Sequence, residues 1–262
     1  MRITYLAHSG FMVATPDVVM VFDYYRDPSH SVVKYLEKHP DVPVVFFVSH
    51  SHPDHYNPDI FNLAQNHRRV YVLSNDVEAR DTNSRLEIQG MSPGDKVEGL
   101  PGDIRVEAYD STDAGVSFAV TLKDGQTIFH AGDLNNWHWN EQSTPREVAE
   151  ADAAFRKALG RIASEHPSFD VAFFPVDTRQ GRDFAVGATE FVEAIRVHDF
   201  FPMHFDGNYM VACDFGVYPF HTKVDTVFHC LHDPGESINL EKAGQRIFPV
   251  GAEVVKSIVL PV

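Results

Sequence analysis

Val44-Val45-Phe46-Phe47-Val48 runs straight into Ser49-His50-Ser51-His52-Pro53-Asp54-His55-Tyr56-Asn57-Pro58. The first five residues are β-branched or aromatic, and apolar at every position. That pattern predicts a strand buried on both faces, inside a sheet covered on both sides. The polar, proline-broken stretch after it is a loop leaving the strand end, and such loops are where ligands collect. Within six residues, from His50 to His55, it holds three imidazoles and a carboxylate. In an extended His-x-His both rings leave the same side of the backbone, so His50 and His52 can chelate one ion. Pro53 turns the chain, and Asp54 and His55 can then face a second ion. Nitrogen and oxygen ligands of this kind suit zinc and its neighbours. A single histidine here would read as an ordinary polar loop; four ligand-type residues in this order do not.

Working outward, Ile3–Leu6, Phe11–Ala14 and Val18–Phe22 are short apolar runs punctuated by turn residues, and read as strands. So do Arg69–Leu73, Ile104–Tyr109, Val116–Leu122, Thr127–His130, Val171–Phe174 and Phe200–Met203. Asp124-Gly125 marks a hairpin between two of them. Helices are predicted from Ser29 or Ser31 to Lys38, over Pro145–His166, over Ala188–Val197 and over Thr222–Leu231, with a last strand at Ser257–Val262. Strands and helices in mixed order point to a layered α/β or α+β fold. No linker, low-complexity tract or charge block divides residues 1–262, which are expected to form a single domain.

Composition narrows the function classes. The 262 residues are 44% hydrophobic and 23% charged, which excludes disordered, collagenous and coiled-coil chains. Lys+Arg 22 against Asp+Glu 37 gives a net charge of −15, so nucleic acid and anionic membranes should be repelled. Two cysteines, Cys213 and Cys230, exclude a disulfide framework and cysteine-rich zinc modules, and a reducing cytoplasm is expected. No apolar run approaches the ~20 residues of a membrane span. The N-terminal stretch shows no signal-peptide pattern. The outliers are 15 histidines and 20 phenylalanines.

Two weaker signals share the setting of the histidine loop. Ile128-Phe129-His130-Ala131-Gly132-Asp133 is a strand ending in a tight turn with a carboxylate. Phe200-Phe201-Pro202-Met203-His204-Phe205 is a strand ending in histidine. With HxHxDH at 50–55, HAGD at 130–133 and PMHF at 202–205, the chain resembles the metallo-β-lactamase superfamily of metal-dependent hydrolases. The opening LAHSGFMV and VVMVFDY fit as well. The spacing and the HAGD form look closest to its ascorbate-phosphate lactonase-like branch. The resemblance implies an α+β four-layer αββα sandwich with metals at one edge between the sheets. It implies His50 and His52 on a first ion, Asp54, His55 and His204 on a second, and Asp133 bridging both. It also implies hydrolysis by a metal-bridged hydroxide that Asp54 orients or whose proton it shuttles. Asp23 matches the family's buried aspartate behind the metal loop.

One ligand departs from the pattern. The family expects a third histidine on the first ion, where this chain reads Tyr109-Asp110-Ser111-Thr112-Asp113-Ala114-Gly115. Asp113 or Asp110 can replace it, and a carboxylate would make the site harder and more tolerant of Mn2+ or Fe2+. Otherwise neither binds and the first site is weak. The cofactor expectation is therefore two divalent ions, Zn2+ foremost, or one ion if the first site is incomplete. His8, Trp137, Trp139 and His138 are candidates for the pocket wall, with packing roles as the alternative. Asp177 and Arg179 read as a pocket edge that holds an anion or as a plain surface ion pair. His229 and His232 read as core and rim. The leading function is hydrolysis of a small ester, lactone or phosphate ester, with a small, anionic molecule as partner and a homo-oligomer compatible with it. A phosphodiesterase or nuclease, and a non-catalytic metal-binding protein, are the alternatives.

Overall fold

The structure is a computed structural model that describes residues 1–79, 86–139, 141–217 and 225–241. In chain order the elements are β1 (Arg2–Ala7), β2 (Gly10–Ala14), β3 (Val19–Phe22), α1 (Ser31–Glu37), β4 (Val44–Val48), β5 (Arg69–Ser74), β6 (Glu87–Met91), β7 (Lys96–Leu100), β8 (Ile104–Asp110), β9 (Val116–Thr121) and β10 (Thr127–His130). They continue with α2 (Pro145–Glu165), β11 (Ser168–Pro175), α3 (Val186–Ala194), β12 (Arg196–Met203), α4 (Tyr209–Asp214), β13 (Val227–Phe228) and β14 (Ser237–Asn239). The strands form two seven-stranded sheets, ordered β14-β1-β2-β3-β4-β5-β6 and β13-β12-β11-β10-β9-β8-β7. Each sheet is antiparallel on one side and parallel on the other: β3 to β6 run parallel in the first, and β10 to β13 in the second.

Alternation along the strands builds the layers. Along β4, Val45 and Phe47 enter the core between the sheets, while Val44, Phe46 and Val48 join a second cluster under Val32 and Leu36 of α1. The doubly buried strand read from VVFFV is therefore correct, and the reason is the period of two. Phenylalanines fill both layers of the second sheet. Phe173 on β11 faces Phe11 of the opposite sheet at 4.4 Å, and its neighbour Phe174 faces Phe191 of α3 at 4.6 Å. Helix α2 starts with a capping box between Thr144 and Glu147 and a proline at its first turn, devices worth about 1 kcal/mol. Its buried stripe Phe155, Ala158, Leu159 and Ile162 has helical spacing. The layers are thus α, β, β, α, as expected.

Four expectations need correction. Helix α3 stops at Ala194, because Arg196 already pairs with Ser168 as β12 aligns parallel to β11. In the predicted helix at 222–231, residues 222–224 lie outside the described residues, and Val227–Phe228 form β13 in register with Asp199 and Phe200. Strand pairing there overrides helical spacing. Strands β6 and β7 are additional to those expected, because their sequences, EIQGM and KVEGL, are mostly polar and exposed and carry no strand pattern. The two cysteines do not make a framework, but Cys213 and Cys230 form one disulfide across a Cα separation of 5.2 Å. A reducing compartment did not lead us to expect it. The strand predicted at 257–262 lies outside the described residues. Among the described residues no helix is long and apolar enough to cross a membrane.

Candidate metal centre

The parallel halves of both sheets deliver their C-terminal strand ends to one edge. Asp23 follows β3, the histidine loop follows β4, Asp133 follows β10, Asp177 follows β11 and His204 follows β12. The turn between β1 and β2 adds His8, and the loop between β8 and β9 adds Asp113. This is the edge at which open sheets bind ligands. His8, Asp23 and His204 hold positive φ values of 56°, 42° and 63°. Strained backbone of this kind costs about 1–3 kcal/mol per residue and gathers at functional sites.

Asp133 is the hub. Its carboxylate lies 3.3 Å from His50 Nε2, 3.1 Å from His55 Nε2 and 3.3 Å from His204 Nε2. His50, His55, Asp133 and His204 are all buried. Behind each ring the other nitrogen is held. His55 Nδ1 meets Asp23 Oδ2 at 2.7 Å, and His204 Nδ1 meets Asp177 Oδ2 at 2.9 Å. Ser49 donates its hydroxyl to Asp23 at 2.7 Å, so its oxygen accepts from His50 Nδ1 at 2.9 Å. This hydrogen-bond logic puts the proton of each neutral ring on Nδ1 and leaves the Nε2 lone pair facing Asp133. With the rings neutral, the result is a buried set of acceptors with no donor. His50 Nε2, His55 Nε2 and Asp133 Oδ1 have no hydrogen-bond partner, a condition that costs about 1–3 kcal/mol per group. Carboxylate-braced imidazoles around a shared carboxylate fit a divalent cation.

The electrostatics agree. Burial alone would raise the Asp133 pKa, yet the facing His50 and His55 hold it well below the usual carboxylate range. Burial likewise disfavours charge on His55, but Asp133 and Asp23 push its pKa up to about 10. Asp23 stays ionised, because His130 and His55 outweigh its own burial. Asp177 is lowered to about 2: His204 and Arg179 overcome the cost of burying it. The cluster is built to hold positive charge, and without a cation a proton takes that place.

The remaining expected residues fall around this hub. Donor atoms of His52, Asp113 and Asp133 lie within 4.8 Å of one another, as do those of His8, Asp54, His55 and His204. Asp113 is therefore in place for the missing histidine. Asp110 is not, since it turns to Arg161 on α2 at 3.3 Å. Trp137 donates its indole N–H to the Asp133 carbonyl at 2.7 Å and sits 5.3 Å from the His204 ring. With Trp139, Thr112 and Arg179 it lines a cavity of about 290 Å³ over Asp54, Asp113 and Asp133. His138 is not part of that wall. It is buried near Asn136 and Asp183, at 3.3 and 3.4 Å. His229 and His232 lie elsewhere, stacked on Phe201 and Tyr209. Asp177 is the main correction. It is fully buried and braces His204, and its bond to Arg179 Nε at 2.9 Å is not a plain surface pair. A signal existed, since Asp177 ends a doubly buried strand as Asp133 does. Ser49 gave none, being an ordinary small residue in the sequence.

Two packed mixed sheets, flanked by helices and carrying a histidine–aspartate cluster at one edge, constitute the metallo-β-lactamase fold. The family model described as Beta-lactamase superfamily domain matches residues 2–155, and the chain belongs to that superfamily. A protein of Opitutus terrae named metal-dependent hydrolase is 26% identical over 231 residues, covering 82% of this chain and 88% of its own. The structure of a novel metallo hydrolase from Ignicoccus hospitalis superposes with a TM-score of 0.65 at 17% identity, over 92% of this chain and 98% of that one. A diiron β-hydroxylase from Streptomyces venezuelae gives 0.58 at 13% identity, over 91% of this chain and 54% of that one. Both likenesses are of fold. One of those proteins is described as a hydrolase and the other as a hydroxylase, so the fold alone does not choose the chemistry.

Proposed function

We propose that this chain is a metal-dependent hydrolase of a small, anionic ester, lactone or phosphate ester, working with two divalent ions. The observation that carries the proposal is the buried, donor-free cluster in which His50, His55 and His204 turn Nε2 toward Asp133. His50, His52, Asp113 and Asp133 would hold one ion. Asp54, His55, His204 and Asp133 would hold the other. Zinc suits the imidazole-rich set, and the carboxylate of Asp113 extends tolerance to Mn2+ or Fe2+. When bound, such ions polarise a carbonyl or phosphoryl oxygen and lower the pKa of a water.

The chain's own residues supply binding and orientation. Asp54 faces the cavity, and His8 at 3.4 Å holds its carboxyl well below the usual range against the cost of partial burial. A carboxylate that weakly basic orients a water by accepting a hydrogen bond better than it carries a proton away. Trp137 and Trp139, their rings 6.4 Å apart, offer a flat apolar wall. Arg179 lines the cavity with its guanidinium fixed by Asp177, and it suits a carboxylate or phosphate on the substrate. The cavity volume suits a small molecule, and the net charge of −15 opposes a long polyanion.

The test is a panel of small esters, lactones, phosphate mono- and diesters and single-stranded nucleic acid, run on metal-loaded and chelated protein. Turnover of a small anionic ester is expected, lost on chelation, restored by metal and abolished in Asp133→Asn. Turnover indifferent to chelation, or a preference for nucleic acid, would contradict the proposal.

A further inference from the structure

His8 is the group in this pocket that the ligand pattern leaves unused. It lies in the β1–β2 turn at a φ of 56°, with its ring 7% exposed. Its backbone is tied at both ends: the amide N–H donates to Tyr5 Oη at 2.8 Å, and the carbonyl accepts from His204 N–H at 3.3 Å. The ring centroid is 4.1 Å from that of His204, and the ring meets His55 edge-on at 5.5 Å. Its Nε2 is buried and makes no hydrogen bond, although Asp54 Oδ2 is 3.4 Å away. Donor atoms of His8, Asp54, His55 and His204 all lie within 4.8 Å of one another. The buried Nε2, with no hydrogen bond beyond the 3.4 Å approach of Asp54 and with three further ligand atoms within 4.8 Å, carries a desolvation cost. A cation among these four groups would satisfy the nitrogen.

Resting on the two-ion reading above, we propose that His8 is a further metal ligand, so that the two cation positions are unequal. The inner position takes His8, Asp54, His55 and His204 beside Asp133. The outer position takes His50, His52, Asp113 and Asp133, and both His52 and Asp113 are exposed. A site filled by protein ligands behaves as a closed, retained site, whereas one with fewer, solvent-facing ligands keeps a position open to exchange. The inner ion is then the one that holds the pocket together, and the outer ion is the one that exchanges and meets substrate.

The test uses full-length protein labelled with 15N-histidine and loaded with 113Cd, together with chelator-competition titrations using zinc. His8→Asn is the variant, because asparagine tolerates positive φ and retains a polar group. The wild type is expected to show cadmium-coupled imidazole nitrogen resonances from His8 in addition to His50, His52, His55 and His204. It should also show two classes of zinc affinity. His8→Asn should lose one coupled resonance and weaken the tight class by more than about 100-fold, above the ~10–100-fold cost of losing a residue that only braces a ligand. His8→Gln, isolated folded by circular dichroism, should show the same loss. A wild-type protein that binds two ions without coupling to His8, or a variant that keeps the tight class, overturns this inference and leaves the proposed function standing. A wild-type protein that binds no divalent ion overturns both.

Discussion

Asp23→Asn changes one atom type at the point where the whole cluster is braced. The Asp23 carboxylate is fully buried and accepts from Ser49 N–H at 2.8 Å, Ser49 O–H at 2.7 Å and His55 Nδ1 at 2.7 Å. An amide can accept these donors on one end only. With its oxygen in the Oδ1 place, its NH2 meets the Ser49 hydroxyl and the His55 Nδ1–H; with its oxygen in the Oδ2 place, its NH2 meets the Ser49 backbone N–H. The system can escape by moving the His55 proton from Nδ1 to Nε2, but that removes the lone pair facing Asp133. The variant is therefore expected to hold metal about 10–100-fold more weakly, or about 1.4–2.8 kcal/mol. In the metal-free protein the buried charge on His55 keeps Asp133 but loses Asp23, one of its two carboxylate partners, so the change costs less than the about 3–5 kcal/mol of a fully broken buried pair. Metal affinity is read by competition with a chromophoric chelator, and stability by urea denaturation of the chelated protein. Wild-type affinity in Asp23→Asn, with the fold intact by circular dichroism, would refute the bracing argument.

Other expectations follow from single observations. A Cβ at Gly115, whose φ is +64°, would overlap the Ser49 carbonyl oxygen and lie 2.5 Å from His50 Cβ. Gly115→Ala should thus cost about 2–5 kcal/mol in urea denaturation and displace the histidine loop. Gly125→Ala, at a φ of +85° in open space, should cost only the left-handed strain of about 1–2 kcal/mol. Because the Asp177 pKa falls from 3.8 to about 2 on folding, its contribution to stability is complete above pH 4 and is lost as pH falls toward 2. The stability gap between wild type and Asp177→Asn should close over that window, and a gap that persists at pH 2 contradicts it. With its pKa near 10, His55 carries a proton in the metal-free protein at pH 7, and a ligand must be neutral. Calorimetric metal titrations in two buffers of different ionisation enthalpy should show proton release, and identical apparent enthalpies contradict that.

The sequence was most legible where chemistry is contiguous. His50, His52, Asp54 and His55 share one loop after one unmistakable strand, so their partnership could be read without knowing the fold. Asp133 and His204 each end a buried strand, a weak signal alone, and the resemblance to the metallo-β-lactamase superfamily is what made them ligand candidates. Distinguishing Asp113 from Asp110 needed the structure. Asp110 is the last residue of β8, and its pairing with Val116 of β9 leaves it facing Arg161, while Asp113 lies in the turn over the pocket. Asp177 and Ser49 act through other side chains, and a residue whose work is to hold a neighbour's nitrogen carries no motif of its own. The late misreadings have one cause. The helical spacing through Val197 and again through Thr222–Leu231 was locally plausible, and pairing along β12 outweighed it.

The central claim is that the acceptor-only cluster around Asp133 holds two divalent ions. The most direct measurement is a crystal structure of the as-purified protein with anomalous data collected at the absorption edges of zinc, iron and manganese. The account predicts two anomalous peaks roughly 3.5–4 Å apart, on either side of the Asp133 carboxylate, one beside His52 and Asp113 and the other beside His8, Asp54 and His204. Metal-replete crystals with no anomalous peak within reach of Asp133, or with only a single ion there, would contradict it.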